Sequence, residues 1–255
     1  MRILSWNVYH GTLNGVSPGQ RIGQICSLAL ANGVDVICLQ EVPQSLLDAS
    51  VPFGIVTAAA PVNAEFPAGF AGSFGALQCF RETVPGPPSP LTHTTDGYLV
   101  LYRLAGFVSY QNFQYFSPAS FIGPAGSRLR CPVEVELQAT SGVNVRILNW
   151  HAEVGPSAGW SLQILSALLG DGRHQVMTTV VAGDFNVRGN FSSVFGQQAN
   201  FVNWDNIVAI YPGAAGQQIW GLDHILTSVP ARIKLGAQLN FTSDSYHYPI
   251  ACDVP

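Results

Sequence analysis

Eight polar residues of types that bind metal ions and phosphates stand at the ends of apolar, strand-like runs of this 255-residue chain. They are Asn7, Glu41, Asp96, His151, Asp184, Asn186, Asp223 and His247. An isolated carboxylate at the end of a buried strand costs on the order of several kcal/mol unless it is paired or bound to a cation. Several such carboxylates therefore predict a metal site, and the amides and histidines beside them are groups that metal-assisted phosphoester cleavage uses.

That chemistry needs a hard divalent cation, a water nucleophile, a base for the water and donors to the phosphoryl oxygens. Mg²⁺ prefers oxygen ligands, so Glu41 with Asn7 beside it is the predicted metal site, with Mn²⁺ or Ca²⁺ as alternative ions. Asp184 is expected to orient the attacking water, and Asn186 to donate to the phosphate in the transition state. Two alternatives stay open: Asn7 could cap a turn, and Asp184 and Asn186 could form an Asx-turn after a strand.

The runs that carry these residues are short and rich in β-branched and aromatic side chains, which predicts buried strands. The clearest are Ile3 to Val8, Val34 to Gln40, Tyr98 to Tyr102, Val145 to Trp150 and Met177 to Ala182. Polar residues at the ends of such strands are poor candidates for packing, which favours a functional role.

Two helices and one long loop are predicted between the strands. Ser17 and Pro18 are typical of a helix start, and Gly33 is typical of its end. Apolar residues at helical spacing predict a second helix over 156–169. The Ala-, Gly- and Pro-rich segment 57–96 is expected to be mostly loop with a short strand at 74–80, and so long a loop in a compact domain is usually functional or mobile.

Composition favours one well-buried domain over residues 1–255, because 47% of the residues are apolar and no repeat is present. No apolar run is long enough for a membrane span. Met1 leads straight into the first strand, so no secretory leader is expected. The location stays open between the cytoplasm and a secreted form whose leader has been removed.

Charge limits the partners that the protein can bind. Charged residues make up 10% of the chain and the net charge is -4, whereas an average soluble domain has about 25% charged residues. These residues cannot form the large basic face of a high-affinity nucleic-acid binder, so any nucleic-acid contact must be local. The basic residues are ten arginines and Lys234. A GC-rich genome explains this bias, as does delivery into a foreign cell, where few lysines mean few ubiquitination sites.

Five cysteines lack the Cys-x-x-Cys spacing, so neither a zinc site nor a catalytic thiol is indicated. Cys26 and Cys38 lie in apolar helix and strand patterns, where a free thiol behaves as a small apolar group. One disulfide among Cys79, Cys131 and Cys252 stays open.

Eight short motifs, taken in order along the chain, resemble the endonuclease/exonuclease/phosphatase superfamily. They are Trp6-Asn7, Leu39-Gln40-Glu41-Val42, the segment from Asp96 to Arg103, Arg130-Cys131-Pro132, Asn149-Trp150-His151, Gly183-Asp184-Phe185-Asn186, Leu222-Asp223-His224-Ile225 and His247-Tyr248-Pro249. Each motif alone is weak, but the ordered set spans nearly the whole chain. Within the superfamily the set looks most like the branch of deoxyribonuclease I and the nuclease subunit of cytolethal distending toxin.

The resemblance implies a four-layer α/β sandwich, in which two facing, mainly antiparallel β-sheets are flanked by helices. It implies a divalent-metal-dependent phosphodiesterase, with DNA as the leading substrate and, for a toxin component, delivery subunits as partners. A lipid or inositol phosphoesterase is the alternative enzyme, favoured by the low basic charge. A catalytically inactive binding module of the same fold is the alternative outside enzymes.

The resemblance also implies roles for single residues. His151 and His247 match the two catalytic histidines, and Asp96 and Asp223 match the acids that pair with the first and the second of them. A carboxylate on one ring nitrogen fixes the tautomer of a histidine and raises its basicity. Four other histidines have no match and are expected to be structural or on the surface, namely His10, which could still reach the cleft, His93, His174 and His224.

Arg130 resembles the family's phosphate-binding arginine, because it stands in an Arg-x-Pro motif and a guanidinium suits a pair of phosphodiester oxygens. Arg128, two residues earlier on the same predicted strand face, could serve instead. A plain surface charge on a strand is the alternative for Arg130.

Two departures from the family pattern affect the metal and the substrate. The family's Asp-His pair would place Asp244 on the metal, but two residues separate it from His247, so either the loop bulges or Asp244 has lost that role. Pro43 stands where deoxyribonuclease I has a basic residue that contacts DNA, which predicts weaker minor-groove binding.

Overall fold

The computed structural model describes two facing β-sheets with a helix packed against the first. The described residues are 1–13, 15–47, 73–82, 93–115, 130, 132–152, 173, 176–186, 223–228, 247 and 249–255. In chain order the elements are β1 (Arg2–Asn7), α1 (Pro18–Ala31), β2 (Val36–Pro43), a 3₁₀ turn (Gln44–Leu46), β3 (Phe74–Glu82), β4 (His93–Arg103), β5 (Phe107–Tyr115), β6 (Val133–Ala139), β7 (Asn144–His151), β8 (Thr178–Asp184), β9 (Asp223–Thr227) and β10 (Ile250–Asp253).

The two sheets share one pairing pattern. The first sheet has the order β10-β1-β2-β4-β3 and the second has the order β5-β6-β7-β8-β9. Each contains a single parallel pair, β1 with β2 and β7 with β8, and its other neighbours are antiparallel. The predicted α/β sandwich with two mainly antiparallel sheets is thereby confirmed.

The helix α1 begins and ends as its sequence predicts. Ser17 Oγ accepts a hydrogen bond from Gln20 N at 3.2 Å, and Ser17 N donates to Gln20 Oε1 at 2.8 Å, which forms a capping box in front of Pro18. Its buried face packs on the first sheet, with the apolar residues Ile22, Ile25, Cys26 and Ala29 fully covered. In the part of the chain that the structure describes, no helix is long and apolar enough to cross a membrane.

Two apolar cores lie on the two faces of the first sheet. Alternation along β2 sends Val36 and Cys38 between the sheets, where they meet residues such as Ile147, and sends Ile37 and Leu39 toward α1. Burial of both faces explains why the central strands are continuous apolar runs rather than alternating ones.

Several expectations need correction. The segment 93–96 belongs to β4, although it was expected to be loop, and β3 continues to Glu82. The strands β5, β6, β9 and β10 were not predicted. β9 and β10 have only five and four residues, whereas β6 does alternate apolar and polar residues as a strand does. The helix expected at 156–169 lies outside the described residues. Cys26, Cys38 and Cys252 are buried free thiols, and the side chains of Cys79 and Cys131 are not among those described.

Gly183 in β8 lies directly against Trp150 in β7. A Cβ at Gly183 would be 1.7 Å from the carbonyl oxygen of Trp150, a backbone atom that cannot move aside cheaply. We expect Gly183→Ala to lower the free energy of unfolding by about 3 kcal/mol or more, since overpacking forces the backbone apart. Chemical denaturation measures this loss. Gly106→Ala, where the nearest atom would be at 3.6 Å, is the control, and equal stability of the two variants would contradict the close pairing of β7 with β8.

Candidate active site

Those predicted site residues that the structure describes gather at one edge of the sandwich. Asn7 ends β1, His151 ends β7 and Asp184 ends β8, while Glu41 lies near the end of β2. Because β1 and β2 are parallel, and so are β7 and β8, the carboxyl ends within each pair lie at the same edge. Asp223 starts the antiparallel strand β9 directly opposite Asp184.

A β-bulge turns Glu41 toward the second sheet. The register of β2 against β4 shifts between Leu39 and Val42, so Gln40 and Glu41 together oppose one residue of β4. Leu39 and Val42 both pack in the core on the helix side, which a regular strand would not allow for residues three apart. The extra residue therefore lets Glu41 join Gln40 on the face between the sheets.

Backbone strain is concentrated at this edge. Three non-glycine residues in the described part of the chain have a positive φ, and they are Tyr9 at 56°, Glu41 at 53° and Asn186 at 52°. A residue with a side chain costs on the order of 1 kcal/mol or more in this region, and such residues cluster at functional sites. All three lie next to or within the group of predicted site residues.

Asn7 joins the two sheets by holding two carboxylates. Its Nδ2 donates to Glu41 Oε1 at 3.1 Å and to Asp184 Oδ2 at 2.9 Å. Its Oδ1 accepts from Tyr9 N at 3.1 Å, which is the turn-capping alternative considered for this residue. Asn7 thus donates to both carboxylates and orients Glu41 and Asp184, and its expected role as a metal ligand stays a prediction.

Asp184 uses its two oxygens for different contacts. Oδ1 accepts from Asn186 N at 3.0 Å, which is the Asx-turn considered as the alternative to a catalytic role, and Oδ2 faces the cleft. The turn and the cleft-facing position coexist in one side chain. Burial and the nearby charge of Asp223 raise the pKa of Asp184, although His247 and the hydrogen bonds from Asn7 and Asn186 oppose the shift.

His247 and Asp223 form a close pair. Nδ1 of His247 lies 2.7 Å from Asp223 Oδ2, and Nε2 lies 3.6 Å from Asp184 Oδ2. Burial alone would lower the pKa of His247, but Asp223, Asp184 and Glu41 outweigh burial and raise the pKa to about 9. Trp6 Nε1 donates to the carbonyl of His247 at 3.0 Å and so fixes its backbone against β1.

His151 lies between the carboxylates and Arg130. Its Nε2 is 3.6 Å from both Glu41 Oε1 and Asp184 Oδ2, and 2.6 Å from an Arg130 guanidinium nitrogen. A guanidinium can only donate, so Nε2 of His151 accepts and the neutral ring carries its proton on Nδ1. The backbone N–H of His151 donates to the Tyr98 hydroxyl at 3.2 Å, a contact that the sequence did not indicate.

Arg130 and Asn186 meet at one backbone oxygen. Arg130 donates to Ala152 O at 3.1 Å, and Asn186 Nδ2 donates to the same oxygen at 3.0 Å. Trp150 Nε1 donates to Arg130 O at 3.0 Å. Arg130 precedes β6, which begins at residue 133, so the expectation that it lies on a strand face is wrong.

His10 belongs to this site, although the sequence analysis expected it to be structural or on the surface. Its Nδ1 lies 2.9 Å from Glu41 Oε2, and its side chain is 44% exposed. The sequence offered only its closeness to Asn7 as a signal. Three other predicted positions are less complete: β4 places Asp96 opposite Pro43 but its side chain is not described, and Arg128 and Asp244 lie outside the described residues.

A buried polar bridge beneath the site was also missed. Gln40 Nε2 donates to Asn149 Oδ1 at 2.7 Å and to Ser5 Oγ at 3.2 Å, and Asn149 Nδ2 donates to Leu39 O at 3.0 Å. The bridge crosses between the sheets. Because Gln40 adjoins Glu41 in the chain, it helps to set the distance between Glu41 and the second sheet.

The donor set fits a hard divalent cation. Glu41, Asp184 and Asp223 supply carboxylate oxygens, and ligand atoms of Asp184, Asp223 and His247 lie within 4.8 Å of one another. Asp223 Oδ1 is buried and has no hydrogen-bond partner among the described residues. The hydrogen bonds from Asn7 and His10 outweigh the effect of burial and lower the pKa of Glu41, which keeps this carboxylate ionised for a cation.

Solved structures of similar fold cover nearly the whole chain. The human Nocturnin catalytic domain with bound sulfate is 18% identical at a TM-score of 0.63, over 99% of this chain and 92% of that one. An endonuclease/exonuclease/phosphatase family protein from Leptotrichia buccalis is 15% identical at a TM-score of 0.66, and the match covers 100% of this chain and 99% of that one. TDP2 from D. rerio, complexed with a single-strand DNA product, is 15% identical at a TM-score of 0.59, and the match covers 99% of this chain and 97% of that one. At these identities the likeness shows the fold.

Sequence comparisons place the chain in a family. A search among curated proteins finds no match. The family model described as Endonuclease/Exonuclease/phosphatase family matches residues 4–247, which include the described site residues from Asn7 to His247. The chain therefore belongs to the endonuclease/exonuclease/phosphatase family, whose members are hydrolases of phosphoesters.

Proposed function

We propose that this protein is a divalent-metal-dependent phosphodiesterase that cleaves nucleic acid, with DNA as the leading substrate. The observation that carries the proposal is the meeting of Glu41, Asp184 and the Asp223–His247 pair with His151 and Arg130 at one edge of the sandwich. This set supplies cation ligands, a base, a charged donor and a phosphate-binding guanidinium.

Glu41 is the proposed anchor of the cation. At the other end of the site, His247 Nδ1 and Asp223 Oδ2 contact each other at 2.7 Å, so Asp223 Oδ1 is the oxygen of that pair that would remain for a cation. Asn7 and His10 each hold one oxygen of Glu41, which fixes the carboxylate in place. A bound Mg²⁺ would supply positive charge to the phosphoryl and leaving oxygens. Mn²⁺ and Ca²⁺ remain alternatives, and a ligand role for Asp244 remains a prediction.

Protonation states assign the acid and base roles. His247 is charged at neutral pH, because its pKa is about 9, so it suits donation to the phosphate or to the leaving oxygen. Asp184 has a pKa raised toward the working pH, which suits a base that takes a proton from water. The expected histidine base is therefore replaced in this proposal by Asp184, with His247 as the charged donor and Asp223 as its orienting acid.

The phosphate is proposed to lie against Arg130 and Asn186. Their donors converge on Ala152 O, so both can reach an anion placed beside the neutral ring of His151. One guanidinium and one amide match a single phosphodiester. An inositol polyphosphate would need several cations, and in the described part of the site Arg130 is the arginine that points to the cleft. This favours a phosphodiester over an inositol polyphosphate. Among phosphodiesters, nucleic acid is supported by the likeness in fold to TDP2 from D. rerio, which has been solved in complex with a single-strand DNA product.

Several finer features stay predictions. The deoxyribonuclease I branch, an endonuclease rather than exonuclease action, a toxin context and delivery subunits all rest on the resemblance of motifs. Pairing of Asp96 with His151 and phosphate binding by Arg128 rest on it as well. An inactive binding module is disfavoured, because such a module has no need of strained residues at Glu41 and Asn186.

The pH dependence of cleavage follows from the two shifted groups. Asp184 must lose its proton and His247 must keep its own, so we expect kcat to rise through the raised pKa of Asp184 and to fall as pH passes about 9. A bound cation lowers the pKa of both groups, so in the active protein both limbs lie below their metal-free positions. His247→Gln has no proton to lose at this position, so its residual kcat should no longer fall at alkaline pH. An alkaline limb at the same pH in that variant would contradict the assignment.

A panel of substrates tests the proposal. Supercoiled plasmid, a single-stranded oligonucleotide, sphingomyelin and an inositol phosphate are incubated with Mg²⁺ and, in parallel, with chelator. We expect cleavage of the nucleic acids in Mg²⁺ only, and its loss in Asp184→Asn. Turnover of sphingomyelin or the inositol phosphate without nucleic-acid cleavage would overturn the substrate class. Binding without any cleavage would support the inactive module.

A further inference from the structure

Arg21 on α1 is a buried arginine whose contacts are all to backbone oxygens. It is 2% exposed, and its guanidinium donates to Val8 O at 2.9 Å, Tyr9 O at 2.6 Å, Gly11 O at 2.7 Å and Val16 O at 2.7 Å. No carboxylate of the described residues pairs with it. Burial lowers the pKa of this guanidinium. A carboxylate paired with it would oppose that lowering of the pKa. The four oxygens belong to the segment 8–16 that links β1 to α1, so one side chain bonds to described residues at both ends of this segment.

The segment 8–16 is folded tightly at Tyr9 to Gly11. Tyr9 has a φ of 56°, and its ring lies 5.0 Å from the His10 ring. A Cβ at Gly11 would be 2.7 Å from the Tyr9 ring. A strained residue persists only where its surroundings hold it, and the Arg21 hydrogen bonds to the carbonyls on both sides of His10 supply that hold.

Two site residues are oriented from this segment. The N–H of Tyr9 donates to Asn7 Oδ1, which turns the amide Nδ2 toward Glu41 and Asp184. Nδ1 of His10 contacts Glu41 Oε2 at 2.9 Å. Both oxygens of Glu41 are thus held by residues at or next to the segment. Arg21 bonds four carbonyls of that segment, beside the backbone bonds from Val8 N to Gln40 O and between Leu13 and Val16.

We propose that Arg21 is a positioning residue for the cation site, acting through the 8–16 segment so that Asn7 and His10 fix the two oxygens of Glu41. This inference rests on the proposed function, since it concerns the cation that Glu41 would bind. Groups that orient metal ligands typically change metal affinity by about 10- to 100-fold when they are altered. A purely structural Arg21 would change stability and leave the affinity for the cation unaltered.

Binding of Mn²⁺ without substrate separates these roles. Calorimetric titration of wild type, Arg21→Lys and Arg146→Lys compares two arginines that are both buried, because Arg146 pairs with Glu134 on the second sheet, away from the cleft. A lysine keeps the charge but cannot donate to four carbonyls at once. We expect Arg21→Lys to weaken Mn²⁺ binding about 10-fold or more, and Arg146→Lys to bind as wild type does. Equal affinity of Arg21→Lys and wild type would overturn the inference.

A second pair of variants keeps the test decisive if Arg21→Lys fails to fold. His10 is partly exposed, so His10→Leu and His10→Asn should both fold. The amide of Asn can donate to Glu41 from the place of Nδ1, whereas Leu cannot. We expect His10→Leu to bind Mn²⁺ about 10-fold more weakly and His10→Asn to bind nearly as wild type. If His10→Leu bound Mn²⁺ as tightly as wild type, the inference about Arg21 would be overturned and the proposed function would stand. If the wild-type protein bound no Mn²⁺, both the inference and the proposed function would be overturned.

Discussion

His247→Ala is expected to lower kcat by about 10²- to 10⁴-fold, the range typical for loss of one positioned acid or base. The reason is the position of its ring, with Nε2 3.6 Å from Asp184 Oδ2 and Nδ1 2.7 Å from Asp223 Oδ2. The change removes a charged donor and leaves Trp6 bonded to the backbone of residue 247, so we expect the fold to persist. Steady-state kinetics with a nucleic-acid substrate measure the loss, and circular dichroism checks the fold.

Asp223 gives this prediction its internal control. Asp223→Asn should lose nearly as much kcat as His247→Ala, and the double variant should be no worse than the worse single, because the two side chains act as a unit. Asp253→Asn, which alters a carboxylate paired with Arg2 on the first sheet, should keep kcat within about twofold of wild type, as surface changes away from a site usually do. Losses that multiply in the double variant would show that Asp223 and His247 work separately.

Glu41→Gln is expected to remove the cation and with it about 10³-fold or more of the activity, since a bound cation contributes several kcal/mol of charge stabilisation. Gln keeps the oxygen that accepts from Asn7 and nearly the same volume, so the bulge at residue 41 should survive. Titration with Mn²⁺ and kinetics in Mg²⁺ measure both effects. Glu136→Gln, at a carboxylate paired with Arg173, is the matched control. Unchanged Mn²⁺ affinity in Glu41→Gln would place the cation elsewhere.

Local sequence was enough to predict the central strands and α1, and together with the family resemblance it named most of the residues that the structure brings together at the candidate site. The polar residues that follow β1, β7 and β8 do lie together, because parallel neighbours bring their carboxyl ends to one edge. The capping box at Ser17 is likewise a local signal. The strand β9 was missed, since its five residues take their structure from pairing with β8.

Contacts between distant segments were beyond such prediction. The bulge at Glu41 depends on the register against β4, which lies more than fifty residues further along the chain. The bond of His10 to Glu41 depends on that bulge and on Arg21 in α1. Local sequence could not decide between the two alternatives for Asn7, because both occur in the structure. Asn7 Oδ1 accepts from Tyr9 N and caps the turn, while Nδ2 donates to Asp184 in the site.

The most direct test of the account is hydrolysis of a simple phosphodiester, bis(p-nitrophenyl) phosphate, followed over a range of Mg²⁺ concentrations for wild type and Asp184→Asn, with chelator added at the end. This substrate carries no base, lipid or sugar, so it reports the phosphodiesterase chemistry alone. We predict that wild-type turnover saturates with Mg²⁺ and stops on chelation, and that Asp184→Asn is inactive at every concentration. Turnover that persists in chelator, or that is equal in the two proteins, would contradict a metal-dependent phosphodiesterase centred on Asp184.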